Sequence, residues 1–119
     1  MILELLAGAA LSLPATGTAS LDNVGMREIV RLADDLTMVS YSIIRDTRCP
    51  DPVLCFQDEE LIVLVVVDWK GRWKEYRVRM GQPVRVADGW LTLLGTSAKP
   101  QYSGALPLKE YRLSYAFER

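Results

Sequence analysis

The sequence predicts an all-β fold, a single domain of about seven strands packed as a sandwich. Three features carry that expectation. They are an unbroken β-branched run in mid-chain, strict two-residue alternation in the stretches after it, and turn dipeptides at hairpin spacing. With 119 residues, half of them apolar, the chain can bury one real core.

Residues 1–20 read as a targeting segment and residues 21–119 as the domain. Ile2 to Pro14 is apolar, broken only by Glu4, Gly8 and Ser12. The small residues Ala15 to Ser20 suit signal peptidase, with cleavage expected after Ala19 or Ser20. The apolar run falls short of the ~20 residues that a membrane span needs, so no stable membrane insertion is expected after processing. Leu6-Ala7-Gly8-Ala9 has the form of a lipoprotein signal with Ala9 where the lipidated Cys would sit. The alternative is that residues 1–20 form an ordinary first helix or strand.

Met26 to Met38 fits two patterns. Val24, Ile29, Val30, Ala33 and Leu36 could form a helical stripe, but Val30 to Met38 closely echoes Val84 to Leu93, which contains an Asp88-Gly89 turn signal. The echo predicts strand–turn–strand for both. Leu61 to Val67 carries no polar residue, which predicts a strand covered on both faces. Asp68 to Arg72 supplies a turn with Gly71 free to take positive φ. In the return strand, Trp73, Glu75, Arg77 and Arg79 alternate with Lys74, Tyr76, Val78 and Met80, the second set facing the core. Pro83–Ala87 and Trp90–Thr96 flank the Asp88-Gly89 signal. Residues 97–107, with two prolines and Gly104, form the longest loop. Tyr111, Leu113, Tyr115 and Phe117 alternate with polar or small residues as a half-buried last strand. These elements fit a sandwich of immunoglobulin-like character, with a small closed barrel as the alternative.

Composition removes several function classes. A net charge of −1 selects neither nucleic acid nor an anionic membrane, and the absence of histidine removes Ser-His-Asp and Cys-His catalysis and the usual zinc sites. No cofactor and no metal are expected. The two cysteines, Cys49 and Cys55, are too far apart for a Cys-x-x-Cys redox motif. In an exported protein they would close a small ring, worth at most about 2.4 kcal/mol by loop-closure entropy. In a cytosolic protein they would be two thiols.

The run Arg45-Asp46-Thr47-Arg48-Cys49-Pro50, then Cys55-Phe56 and an apolar strand, resembles an Asp-Ser-Arg-Cys-Pro…Cys-(Val/Ile)-Trp-Ala-Gly pattern. That pattern belongs to a group of small bacterial exported proteins and lipoproteins, mostly of unassigned function. Asp46, Arg48, Cys49, Pro50 and Cys55 match it, while Thr47 replaces its Ser and Phe56-Gln57-Asp58 its Trp-Ala-Gly. The resemblance spans about residues 25 to 118. It implies a secreted or periplasmic all-β domain with the disulfide formed, and it brings no activity.

Two sets of residues are candidates for binding. Arg45, Asp46 and Arg48 could recognise an anion through the planar guanidinium fork. The favoured structural reading is that Asp46 fixes the turn and Arg48 pairs with it. Trp69, Arg72 and Trp73, with Lys70, Lys74, Tyr76, Arg77 and Arg79, mix cations with aromatic rings, although alternation splits them between two sheet faces and predicts a solvated hairpin. Asp58-Glu59-Glu60 reads as a charged guard on an apolar strand. The leading expectation is a non-enzymatic exported binding module for an unknown protein or small molecule, with no nucleic acid. The competing classes are a carboxylate-based hydrolase or transferase using Asp46, Asp51 or Asp58, and a cytosolic protein with free thiols.

Overall fold

A computed structural model of the protein describes residues 18–50, 59–100 and 106–119. The eight strands are β1 (Thr18–Gly25), β2 (Ile29–Ala33), β3 (Leu36–Asp46), β4 (Leu61–Trp69), β5 (Arg72–Arg79), β6 (Val84–Val86), β7 (Gly89–Thr96) and β8 (Arg112–Glu118), with one 3-10 turn at Leu108–Glu110. They form two four-stranded antiparallel sheets, ordered β2-β3-β4-β5 and β1-β8-β7-β6. This is a sandwich, and no sheet closes into a barrel. Its wiring is simple. Apart from β1, which lies beside β8, strands adjacent in each sheet are adjacent in sequence, and the chain changes sheet at residues 26–28 and 80–83.

The period-two pattern decides the core. Leu61, Val63, Val65 and Val67 of β4 are buried with Leu113, Tyr115 and Phe117 of β8, joined by Leu36, Met38, Val78, Val86, Leu91, Leu93 and Tyr111. Between the sheets, Ser40 of β3 and Tyr115 of β8 share a buried hydrogen bond of 2.7 Å. Burial pushes the Tyr115 hydroxyl up to about 12.

The uninterrupted β4 run predicts cover on both faces, but only one face meets the opposite sheet. Ile62, Leu64 and Val66 on the other are half-buried. Their cross-strand neighbours on β5 are Arg79, Arg77 and Glu75, whose aliphatic stems can shade apolar surface while the charges stay wet.

Both echoing segments are hairpins. The helical stripe over residues 26–38 yields to β2 and β3, which turn at Asp34-Asp35. In the second hairpin Val86 pairs with Gly89, so the two turn residues are Ala87 and Asp88, one position earlier than the Asp-Gly signal implies. Ala87 takes the positive φ of 54°, whereas Gly89 serves close packing: a Cβ there would lie 2.5 Å from the Phe117 ring and 2.8 Å from the Glu118 carbonyl oxygen. The β4–β5 turn is Lys70-Gly71, with both φ positive as a two-residue type I′ hairpin requires.

β1 begins at Thr18, which pairs with Glu118, and Ala19 and Ser20 pair with Phe117 and Ala116. Residues 18–20, which the expected targeting segment includes, are therefore strand. Residues 1–17 of the expected targeting segment, Cys55, Asp51 and Asp58 lie outside the described residues.

Candidate functional site

The Arg-Asp-Thr-Arg motif ends β3, and alternation sends its side chains apart. Arg48 lies against Asp46 as a fork, its Nε donating to Oδ1 at 2.8 Å and its Nη2 to Oδ2 at 2.9 Å. The third nitrogen, Nη1, donates to the Ala98 carbonyl at 2.8 Å, and the Tyr111 hydroxyl donates to Asp46 Oδ2 at 2.6 Å. The side chains of Arg48 and Asp46 are only 11% and 4% exposed. Burial works against the charged carboxylate, but the bonds from Arg48 and Tyr111 outweigh it and hold Asp46 below the ordinary carboxylate range. Burial, helped by Asp46, pushes the Tyr111 hydroxyl up to about 12. A carboxylate so enclosed is a poor general base, because its lone pairs are already taken.

Arg45 points away from this cluster. It is exposed, with Nε 3.7 Å from Glu60 Oε1. The Thr47 amide donates to the Glu60 carbonyl at 2.8 Å and the Glu60 amide to Thr47 Oγ1 at 3.0 Å, so these two residues clamp the ends of the cysteine segment. The Cys49 amide donates to Glu59 Oε1 at 3.0 Å. No cysteine is free among the described residues, nor do they hold a His/Cys/Asp/Glu cluster fit for a metal ion.

The second candidate set converges at the other sheet edge. A cleft of about 400 Å³ opens between β5 and β6, lined by Val67, Trp69, Arg72, Trp73, Lys74, Tyr76, Arg85 and Ala87. Three of these carry positive charge and none carries negative charge. Among the described residues Arg72, Lys74 and Arg85 enter no ion pair. Instead Lys74 Nζ sits 5.3 Å from the Tyr76 ring centre and the Arg85 guanidinium 5.4 Å from that of Trp90. Trp73 is 71% exposed, and the Trp69 indole N–H donates to Asp35 at 3.3 Å.

The structure thus brings Trp69, Arg72 and Trp73 together, leaves Asp46 and Arg48 as a separate, self-satisfied pair, and sets Arg45 apart from them. Trp73 and Lys74 project to opposite faces as alternation requires, yet both reach the cleft because β5 is an edge strand. Sequence reasoning missed Tyr111 as a partner of Asp46 and Arg85 as a wall of the cleft. The signal for Arg85 is its place opposite Trp90 across the β6–β7 turn. Nothing local in the sequence joins Tyr111 to Asp46. A second cleft, about 500 Å³, is lined by Ile62, Arg77, Arg79, Gln82, Pro83 and Val84, which places it at the other face of β5.

No family model, no curated protein and no solved structure matches the chain.

Proposed function

We propose that this protein is a non-enzymatic binding module that takes an anionic partner in the cleft between β5 and β6. One observation carries the reading: Arg72, Lys74 and Arg85 stand beside Trp69, Trp73 and Tyr76 with no acid among the lining residues. Cations held near aromatic faces are partly desolvated and oriented, which favours a charged ligand with flat or apolar parts. Asp46, the one carboxylate of the hydrolase alternative among the described residues, is enclosed by Arg48 and Tyr111, which does not suit it to catalysis.

All three tryptophans of the chain lie in or beside this region, so intrinsic fluorescence reports on it. Polyglutamate should change the emission at low salt, and the effect should fade as salt rises. Combined replacement of Arg72, Lys74 and Arg85 by Ala should weaken binding about tenfold or more, equivalent to about 1.4 kcal/mol. Equal binding by that variant, or none by the native protein, would overturn the reading.

We further propose export, with Cys49 and Cys55 joined. The resemblance of the cysteine motif to exported proteins supports this, as does the lack of a free thiol at Cys49. Cleavage at or before Gly17 would leave β1 whole. The mass of protein isolated from its host, with alkylation before and after reduction, tests both points. A full-length chain with two reactive thiols would argue for the cytosol.

A further inference from the structure

The cationic cleft belongs to a longer feature, the unpaired edge of β5. Among the described residues this strand pairs with β4 alone, and the two-residue turn at Lys70-Gly71 fixes which backbone groups that pairing uses. In such a hairpin the pair flanking the turn, Trp69 and Arg72, exchanges both hydrogen bonds. Every second residue from there, Lys74, Tyr76 and Val78, also bonds inward to β4. Met80 keeps this parity, its amide donating to the Leu61 carbonyl at 2.9 Å.

Trp73, Glu75 and Arg77 have the opposite parity, so their N–H and C=O groups point outward into the gap. Gly81, of the same parity, shows what that direction can reach: its amide donates to the Leu93 carbonyl of the other sheet at 2.8 Å. The outward carbonyl of Arg79 is taken by the Gln82 amide at 3.0 Å. Among the described residues no protein group bonds the outward backbone of Trp73, Glu75 or Arg77.

We infer that an extended acidic polypeptide segment of another protein adds to β5 as a fifth strand of its sheet. This rests on the reading of the cleft as an anion site and names the partner class. The charges choose the occupant. β5 carries Arg72, Lys74, Arg77 and Arg79 against the single acid Glu75, and Arg85 faces the gap from β6. A second copy of β5 would set cation against cation and is disfavoured, whereas an added strand would find cations for its acidic side chains whichever face they occupy. On the cleft face the added strand meets Arg72, Lys74 and Tyr76; on the outer face it meets Trp73, Arg77 and Arg79. Backbone hydrogen bonds supply affinity and the alternating side chains supply selection.

The test uses a capped peptide of about seven residues, alternating valine and glutamate, together with the same peptide N-methylated along one edge. The unmodified peptide should bind and slow amide exchange at Trp73, Glu75 and Arg77. The methylated peptide, with the same charge, should bind at least about tenfold more weakly. Glu75→Pro removes an outward amide at an edge position that tolerates proline and also deletes the one acid, so charge alone predicts tighter binding and strand addition predicts a similar tenfold loss. Equal binding of the two peptides, or undiminished binding to Glu75→Pro, would sink strand addition and leave the anion cleft standing. If polyglutamate and both peptides fail to bind, both readings fall. Binding of a sulfated polysaccharide but of no acidic peptide would also overturn the polypeptide assignment.

Discussion

At Ala87 and Gly89 two neighbouring residues carry opposite demands. Ala87 holds φ at +54°, where its methyl crowds the backbone, while Gly89 sits where any Cβ would meet the Phe117 ring and the Glu118 carbonyl. Gly89→Ala should destabilise the domain by about 1–3 kcal/mol, because the obstacles include backbone and a buried ring. Ala87→Gly should stabilise it by about 0.5–1 kcal/mol by relieving the left-handed strain, less the cost of a looser unfolded chain. Thermal melts of the two variants moving in opposite directions would bear this out; a shift of both the same way would contradict it. The Asp-Gly signal in the sequence was therefore a true mark of a hairpin, but the glycine is needed for packing and not for the turn. Spacing alone could not separate those uses, since the conflict lies with a residue 28 positions away, as 117 minus 89 gives.

Between elements, the joint that matters most is the buried polar contact that links the two sheets, Ser40 to Tyr115. Removing either partner leaves the other without its bond in an apolar setting, so Ser40→Ala and Tyr115→Phe should each cost about 1–2 kcal/mol. The double variant should cost clearly less than the sum, because no unsatisfied group remains. Strict additivity in chemical denaturation would mean that the bond contributes nothing. The strands themselves were readable because period-two alternation is written into each one: β5, β7 and β8 face the way their sequences say. The contacts between sheets were not readable in this way. Ser40 pairs with Tyr115, and Asp46 with Tyr111, across separations of 75 and 65 residues. The basic and aromatic set on β5 was visible, but its convergence with Arg85 depends on how the chain bends at residues 80–83.

For the whole molecule, pH probes the cluster that ties β3 to the loop at Ala98 and to Tyr111. The folded Asp46 carboxyl titrates below its ordinary value despite burial, owing to Arg48 and Tyr111. Its stabilisation is present above the unfolded carboxylate value of about 4 and is lost as pH falls through the lower folded value. Tyr111 and Tyr115 shift the other way, up to about 12 through burial. Their share is complete below about pH 10 and is lost as pH rises through the folded value. Asp46→Ala should lower stability at neutral pH by about 3 kcal/mol, by orphaning a buried guanidinium, and should flatten the acid limb of the profile. Melting the native and variant proteins across the acid range measures both effects, and an unchanged acid limb would show that Asp46 is not its source.

The pairing of β1 with β8 also has a consequence in time. The strands β2 to β5 follow one another along the chain and can pair as they emerge. Among the described residues β1 has a single partner, and that partner is β8, the last of the eight strands. A chain made from its N-terminus must therefore carry residues 18–25 unpaired until residues 112–118 exist. The first strand in sequence cannot be the first to settle, and everything between must be complete before the sheet that contains it can be.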